Sequence, residues 1–183
     1  MKKSKVKRLS ERVLFRLKDG RLVLKEATDI VDGQRVKYTY RSAGNLGVVI
    51  IPVLNDGRVL LERQYRPVVR RWLYELPGGK RKKRENARAA AVRELEEETG
   101  YKARKISLLY KRLPAPWSMD NVDSIFLATN LVITRTKRDE DERIETIAVE
   151  GSRIRKMIKT GAIEDSGTRE ALLYWLEFCS TRP

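Results

Sequence analysis

The sequence contains no histidine and a single cysteine, Cys179. Without histidine there is no imidazole general base, no Ser-His-Asp triad and no imidazole metal ligand. One cysteine excludes an intramolecular disulfide and a thiolate zinc cage. Nowhere do 18 apolar residues run together, so no membrane-spanning helix is expected. The basic start, Met1 to Arg8, is not followed by an apolar stretch of signal-peptide length. A soluble cytoplasmic protein with no membrane partner is the expectation. Chemistry is thereby confined to carboxylates, Lys, Tyr, Ser and Thr, and to metals that accept oxygen ligands.

What is present is charge. Lys and Arg number 40 against 25 Asp and Glu, a formal net charge of +15 over 183 residues. The hydrophobic share, 41%, supports one real core and argues against disorder. The positive excess favours anionic partners: phosphorylated small molecules, nucleic acid or acidic lipid surfaces.

Along the chain, Val13 to Leu17 and Arg21 to Lys25 alternate around Lys18-Asp19-Gly20, a hairpin signal repeated at Asp32-Gly33 before Val36 to Arg41. Leu46 to Leu54 and Arg58 to Arg63 read as strands about Asn55-Asp56-Gly57. Leu76-Pro77-Gly78-Gly79 reads as a breaker. Asn86 to Thr99 lacks Pro and Gly, is rich in Ala, Glu and Leu, and meets Gly100 where a C-terminal cap belongs. Ile106 to Lys111, Asp123 to Leu131 and Ile144 to Val149 read as strands. Ser152 to Lys159 and Thr168 to Phe178 read as closing helices, the second with Asp165-Ser166 as cap. The order predicts a mixed α/β or α+β domain.

On the long helix, Glu94, Glu97 and Glu98 fall at i, i+3 and i+4 and share one face. Like charges so close repel unless a cation lies among them. An all-oxygen set suits Mg²⁺ or Mn²⁺. Gly78, in the loop just before, could add a backbone carbonyl. Arg93 is placed to pair with Glu97 and to reach Glu85. Taken alone, a glutamate-rich helix is most simply a solvated face.

The wider spacing alters that balance. Gly79, five residues, Glu85, seven residues, then Arg93-Glu94-Leu95-Glu96-Glu97-Glu98-Thr99-Gly100-Tyr101 resembles the Nudix box of the nucleoside-diphosphate-linked-moiety hydrolases. Such a match arises by chance on the order of once in 10⁸ to 10⁹ start positions. Tyr101 departs from the box, which has an aliphatic residue there. Arg63-Gln64-Tyr65-Arg66, Tyr74 to Gly79, Pro116 and the acidic stretch Glu140 to Glu145 are similar to the ADP-ribose pyrophosphatase branch. The likeness runs from about Arg41 to Trp175.

The resemblance implies an α/β/α sandwich, a mixed sheet between helices with an N-terminal β-hairpin extension. It implies residues 1–41 as basic leader and N-terminal strands, with 42–183 as the hydrolase domain. It implies Mg²⁺, with Mn²⁺ as substitute, on Glu94, Glu97, Glu98 and the Gly78 carbonyl. Glu97, Glu98 and either Glu140 or Glu142 would carry catalysis, one of the last two as base. Arg41, Arg66, Glu75 and Trp117 would contact substrate, while Gly79, Glu85, Arg93 and Gly100 would be structural.

The implied reaction splits ADP-ribose, or a similar nucleoside diphosphate sugar, into AMP and a sugar phosphate. GDP-mannose or a dinucleotide is the alternative substrate. A nucleic-acid-interacting protein using the basic leader and Lys80 to Arg84 is the alternative class, although those runs lack interleaved aromatics. The branch also implies a homodimer that exchanges its N-terminal strands.

Overall fold

The computed structural model describes residues 5–18, 22–42, 46–134 and 144–180. These form two compact units: one holds the N-terminal residues to 45 with Leu113–Val122, the other Leu46–Arg112 with the chain from Asp123 onward.

In the first unit, β1 (Val6–Arg16), β2 (Val23–Val31) and β3 (Gln34–Ser42) make an antiparallel sheet in the order β1-β2-β3. The extension is thus three strands, one more than a hairpin. Asp32 (φ 48°) and Gly33 (φ 89°) make the turn between β2 and β3, with the positive angles that the Asp-Gly pair supplies. The sheet is held by polar side chains. Tyr38 donates to Asp29 at 2.6 Å, Tyr40 to Glu11 at 2.6 Å, and Lys25 to Glu11 at 2.9 Å. The segment Leu113–Val122 is tied to β3, where the Arg41 N–H donates to the Ser118 carbonyl (2.8 Å) and Ser42 Oγ to Asp120 (2.7 Å).

The second unit contains β4 (Gly47–Pro52), β5 (Val59–Arg66), β6 (Arg71–Glu75), β7 (Gly78–Lys80), α1 (Ala87–Thr99), β8 (Tyr101–Arg112), β9 (Asp123–Ile133), β10 (Ile144–Val149), α2 (Gly151–Lys159) and α3 (Ser166–Phe178). Its sheets run β7-β4-β9-β8, with β4 parallel to β9, and β10-β5-β6. β4 is buried on both faces, which explains its unbroken apolar run. Val48 and Ile50 join Ala90, Ala91 and Leu95 of α1, while Ile51 joins Leu172, Trp175 and Leu176 of α3. A mixed sheet between helices results. No described helix is long and apolar enough to cross a membrane.

Two features differ from the sequence reading. The Gly78-Gly79 breaker is a short strand paired with β4, because neither glycine takes a positive φ and both accept extended geometry. Gln64 to Glu75 contains a second strand, β6, reversed on β5 through a turn in which Arg70 has φ 54°. Its single turn carries little local periodicity for a sequence to reveal.

Candidate active site

α1 begins and ends by local rules. Asn86 caps it, its side chain accepting the Ala89 N–H at 2.8 Å, and Gly100 closes it in the left-handed region at φ 73°. Ala90, Ala91 and Leu95 bury one face, and that fixes where the charged positions point.

The strand β7 pairs with β4, and both pack against this helix. Alternate positions bond on the β4 side: the Ile50 N–H donates to the Pro77 carbonyl (2.9 Å), and the Arg81 N–H to the Leu46 carbonyl (3.1 Å). Antiparallel alternation then turns the backbone groups of Gly78 and Lys80 to the other edge. There the Gly78 N–H donates to Glu98 at 2.9 Å, and the Lys80 carbonyl accepts from Arg93 at 3.1 Å. The Gly78 carbonyl shares that edge.

The glycines are needed for their missing Cβ. At Gly79 a Cβ would overlap the Glu94 carboxylate, whose Cδ would stand 2.6 Å away; at Gly78 it would strike the Val48 carbonyl. Glu94 and Glu98 are thus gathered onto one glycine pair, with Glu98 only 6% exposed.

Glu97 is engaged elsewhere. It pairs with Arg93 (2.8 Å) and Lys82 (3.7 Å), and it lines, with Arg88, Val92 and Arg93, a groove of about 600 Å³ that neither Glu94 nor Glu98 lines. Arg93 is the hub of the segment. It bonds Glu85 through both carboxylate oxygens (2.9 and 3.0 Å) and also contacts Glu94 at 2.9 Å. This guanidinium holds the Glu85 carboxyl well below its ordinary range, down to about 2. Glu85 also accepts the Lys82 N–H at 2.8 Å, and its carbonyl takes Arg81. Part of the basic run Lys80 to Arg84 therefore braces the loop.

Arg66 and Glu75 form a bidentate pair across β5 and β6, Nε donating to Oε1 at 2.9 Å and Nη2 donating to Oε2. Glu75 raises the Arg66 pKa above its ordinary value, and Glu98 and Asp165 add to the same field. In the other unit, β3 carries Arg41, and the segment that Arg41 and Ser42 grip carries Trp117, 81% exposed. Glu140 and Glu142 lie outside the described residues.

Two buried polar residues that no sequence motif marks stand beside the site. Glu62, 2% exposed, stands directly opposite Glu75 on the β5–β6 ladder. Thr168 of α3 accepts the Leu76 N–H at 3.0 Å. A carboxylate within an apolar strand was the visible signal for the first; for the second there was none.

Among the described residues no three Asp, Glu or Cys side chains converge as a ready metal cage. Magnesium needs less than that, since it binds through one or two carboxylates and keeps positions for water and substrate phosphates. Two gathered carboxylates, a carbonyl facing their edge and an all-oxygen donor set fit such an ion.

The NUDIX domain model matches residues 45–157. The chain is 33% identical over 129 residues to the ADP-ribose pyrophosphatase of Bacillus subtilis (strain 168), covering 69% of this chain and 70% of that protein. It is 32% identical over 129 residues to the methanol dehydrogenase activator of Bacillus methanolicus, with the same coverage, 69% and 70%. A solved structure titled as an ADP compounds hydrolase superposes with a TM-score of 0.80 at 21% identity, covering 92% of this chain and 91% of that one, a likeness of fold. The box geometry, the domain match and these relatives together place the chain in the Nudix hydrolase family.

Proposed function

We propose that the protein hydrolyses the pyrophosphate bond of ADP-ribose, or of a closely similar nucleoside diphosphate sugar, with Mg²⁺ or Mn²⁺, releasing AMP and a sugar phosphate. The single observation that carries this reading is the placing of Glu94 and Glu98 together on Gly78-Gly79. The name of the Bacillus subtilis relative supports the substrate class.

Glu94, Glu98 and the Gly78 carbonyl would hold the cation, with Glu97 as a further candidate ligand. A cation there supplies Lewis acidity toward the phosphoryl oxygens. Arg66, oriented by Glu75, offers a planar fork to the diphosphate. Arg41 and Trp117 are kept as substrate contacts, as the family resemblance implies. Glu140 or Glu142 takes the proton from the attacking water, since no imidazole exists to do so. Glu85 and Arg93 keep the loop and helix in register.

The test is a panel of ADP-ribose, GDP-mannose and a flavin dinucleotide with Mg²⁺, read by phosphate-coupled detection. ADP-ribose should be cleaved fastest. Cleavage no faster than that of the other two would overturn the substrate assignment.

A further inference from the structure

The helix α3 lies beyond the stretch matched by the domain model, which ends at residue 157. Its first turn nevertheless reaches the metal loop. The β5–β6 ladder ends at Glu75 and the β4–β7 ladder begins at Gly78. Leu76 falls between them, buried, so its N–H must find a partner outside the sheets. That partner is the Thr168 hydroxyl, at 3.0 Å.

Thr168 is itself 2% exposed and fixed from several sides. Its N–H donates to the capping carboxylate of Asp165 at 2.7 Å. Gly167 beside it is flush against the Arg112 guanidinium: a Cβ there would stand 2.7 Å from Cζ. Arg112 is in turn paired with Asp123 at 3.1 Å. At this third helical position a glutamate or glutamine would normally turn back to the cap residue. A β-branched threonine is a poorer helix former, and its hydroxyl is spent on another segment.

We propose that Thr168 is a positioning residue for the metal loop, its hydroxyl fixing the Leu76 amide and thereby the Gly78 carbonyl. Pro77, whose ring locks φ, is the stiff link between the two, and its carbonyl is held by the Ile50 N–H at 2.9 Å. On the other flank, Glu75 is the residue that orients Arg66. One hydroxyl therefore sets both the metal side and the substrate side of the segment. The inference rests on the proposed metal site at Gly78, Glu94 and Glu98.

The experiment compares the full-length chain with Thr168→Val, which keeps shape but offers no acceptor, and Thr168→Ser, which keeps the hydroxyl. Mn²⁺ affinity is read by electron paramagnetic resonance titration, with the thermal midpoint and amide exchange of the Leu76 segment alongside. Thr168→Val should weaken Mn²⁺ binding by about tenfold or more, the range for groups that orient metal ligands, and Thr168→Ser should stay within about twofold. The Leu76 amide should exchange faster in Thr168→Val alone. Should Thr168→Val not fold, Thr168→Cys, a weak acceptor of similar size, takes its place.

Unchanged Mn²⁺ affinity in Thr168→Val overturns the inference, even if the thermal midpoint falls, because the hydroxyl would then serve only the fold. Glu98→Gln separates the two levels. If it abolishes Mn²⁺ binding while Thr168→Val does not alter it, only the positioning role fails. If Glu98→Gln also binds Mn²⁺ normally, the metal reading falls and the positioning role with it.

Discussion

The Glu98 carboxylate of α1 accepts the backbone N–H of Gly78 at 2.9 Å, which joins the helix to the strand β7 beside it. A glutamine could accept the same hydrogen bond without the charge. Glu98→Gln should therefore keep the fold and lose the ion: kcat falls on the order of 10²-fold or more, with an unchanged thermal midpoint and no Mn²⁺ uptake by calorimetry. A near-normal rate would contradict the metal assignment.

Gly78 and Gly79 should respond differently to alanine. At Gly78 the new Cβ meets backbone, the Val48 carbonyl, which cannot turn away; at Gly79 it meets a side chain, Glu94, which can. Gly78→Ala should lose about 1–3 kcal/mol in urea denaturation, the usual range for overpacking. Gly79→Ala should lose less stability and more activity, since it displaces a proposed metal ligand. Equal losses in both assays for both variants would refute that division.

Glu85 contributes to stability because Arg93 lowers its pKa from 4.5 to about 2. A carboxyl depressed in the folded state stabilises fully above its unfolded value and loses that effect as the pH falls through its folded value. The gap in urea midpoint between the wild type and Glu85→Gln should be complete above pH 4.5 and shrink toward zero near pH 2. A gap independent of pH would show that Glu85 acts through shape alone.

Arg66 and Glu75 should behave as one unit. Arg66→Lys removes the bidentate fork and Glu75→Gln removes the charge that orients it. Each should lower kcat/KM by about tenfold, with the double variant far short of the product of the two. Strict additivity in a double-mutant cycle would mean that they serve substrate independently.

β1 is an edge strand, and Leu9, Val13, Leu14 and Phe15 on it are exposed. Apolar edge strands seek a partner, in keeping with the proposed homodimer. Light scattering should give twice the chain mass, and Val13→Glu with Phe15→Glu should shift it to the monomer. A monomeric wild type removes the proposal.

What a sequence can show here is what neighbours along the chain decide. The span of α1, its Asn86 and Gly100 caps and the Asp165 cap of α3 follow from residues within one turn of each other. So does the Arg93–Glu97 pair, one helical turn apart. The Glu94–Gly79, Arg66–Glu75 and Thr168–Leu76 contacts depend on β6 and β7 folding back on β5 and β4. No local pattern announces those pairings. The three glutamates lie on one stretch of helix as the spacing requires, yet Glu97 is drawn to Arg93 and Lys82, because nearby cations outweigh periodicity in deciding where a flexible carboxylate rests.

The domain match ends within α2, but the hydrophobic core does not. Ala171, Leu172, Trp175 and Leu176 of α3 pack with Ile51, Leu61 and Ile125 of the sheets. A protein shortened to the matched boundary would leave those strands wet on one side, and would aggregate or be cleared before its chemistry could be assayed. The stretch that the family model matches and the unit that folds have different ends.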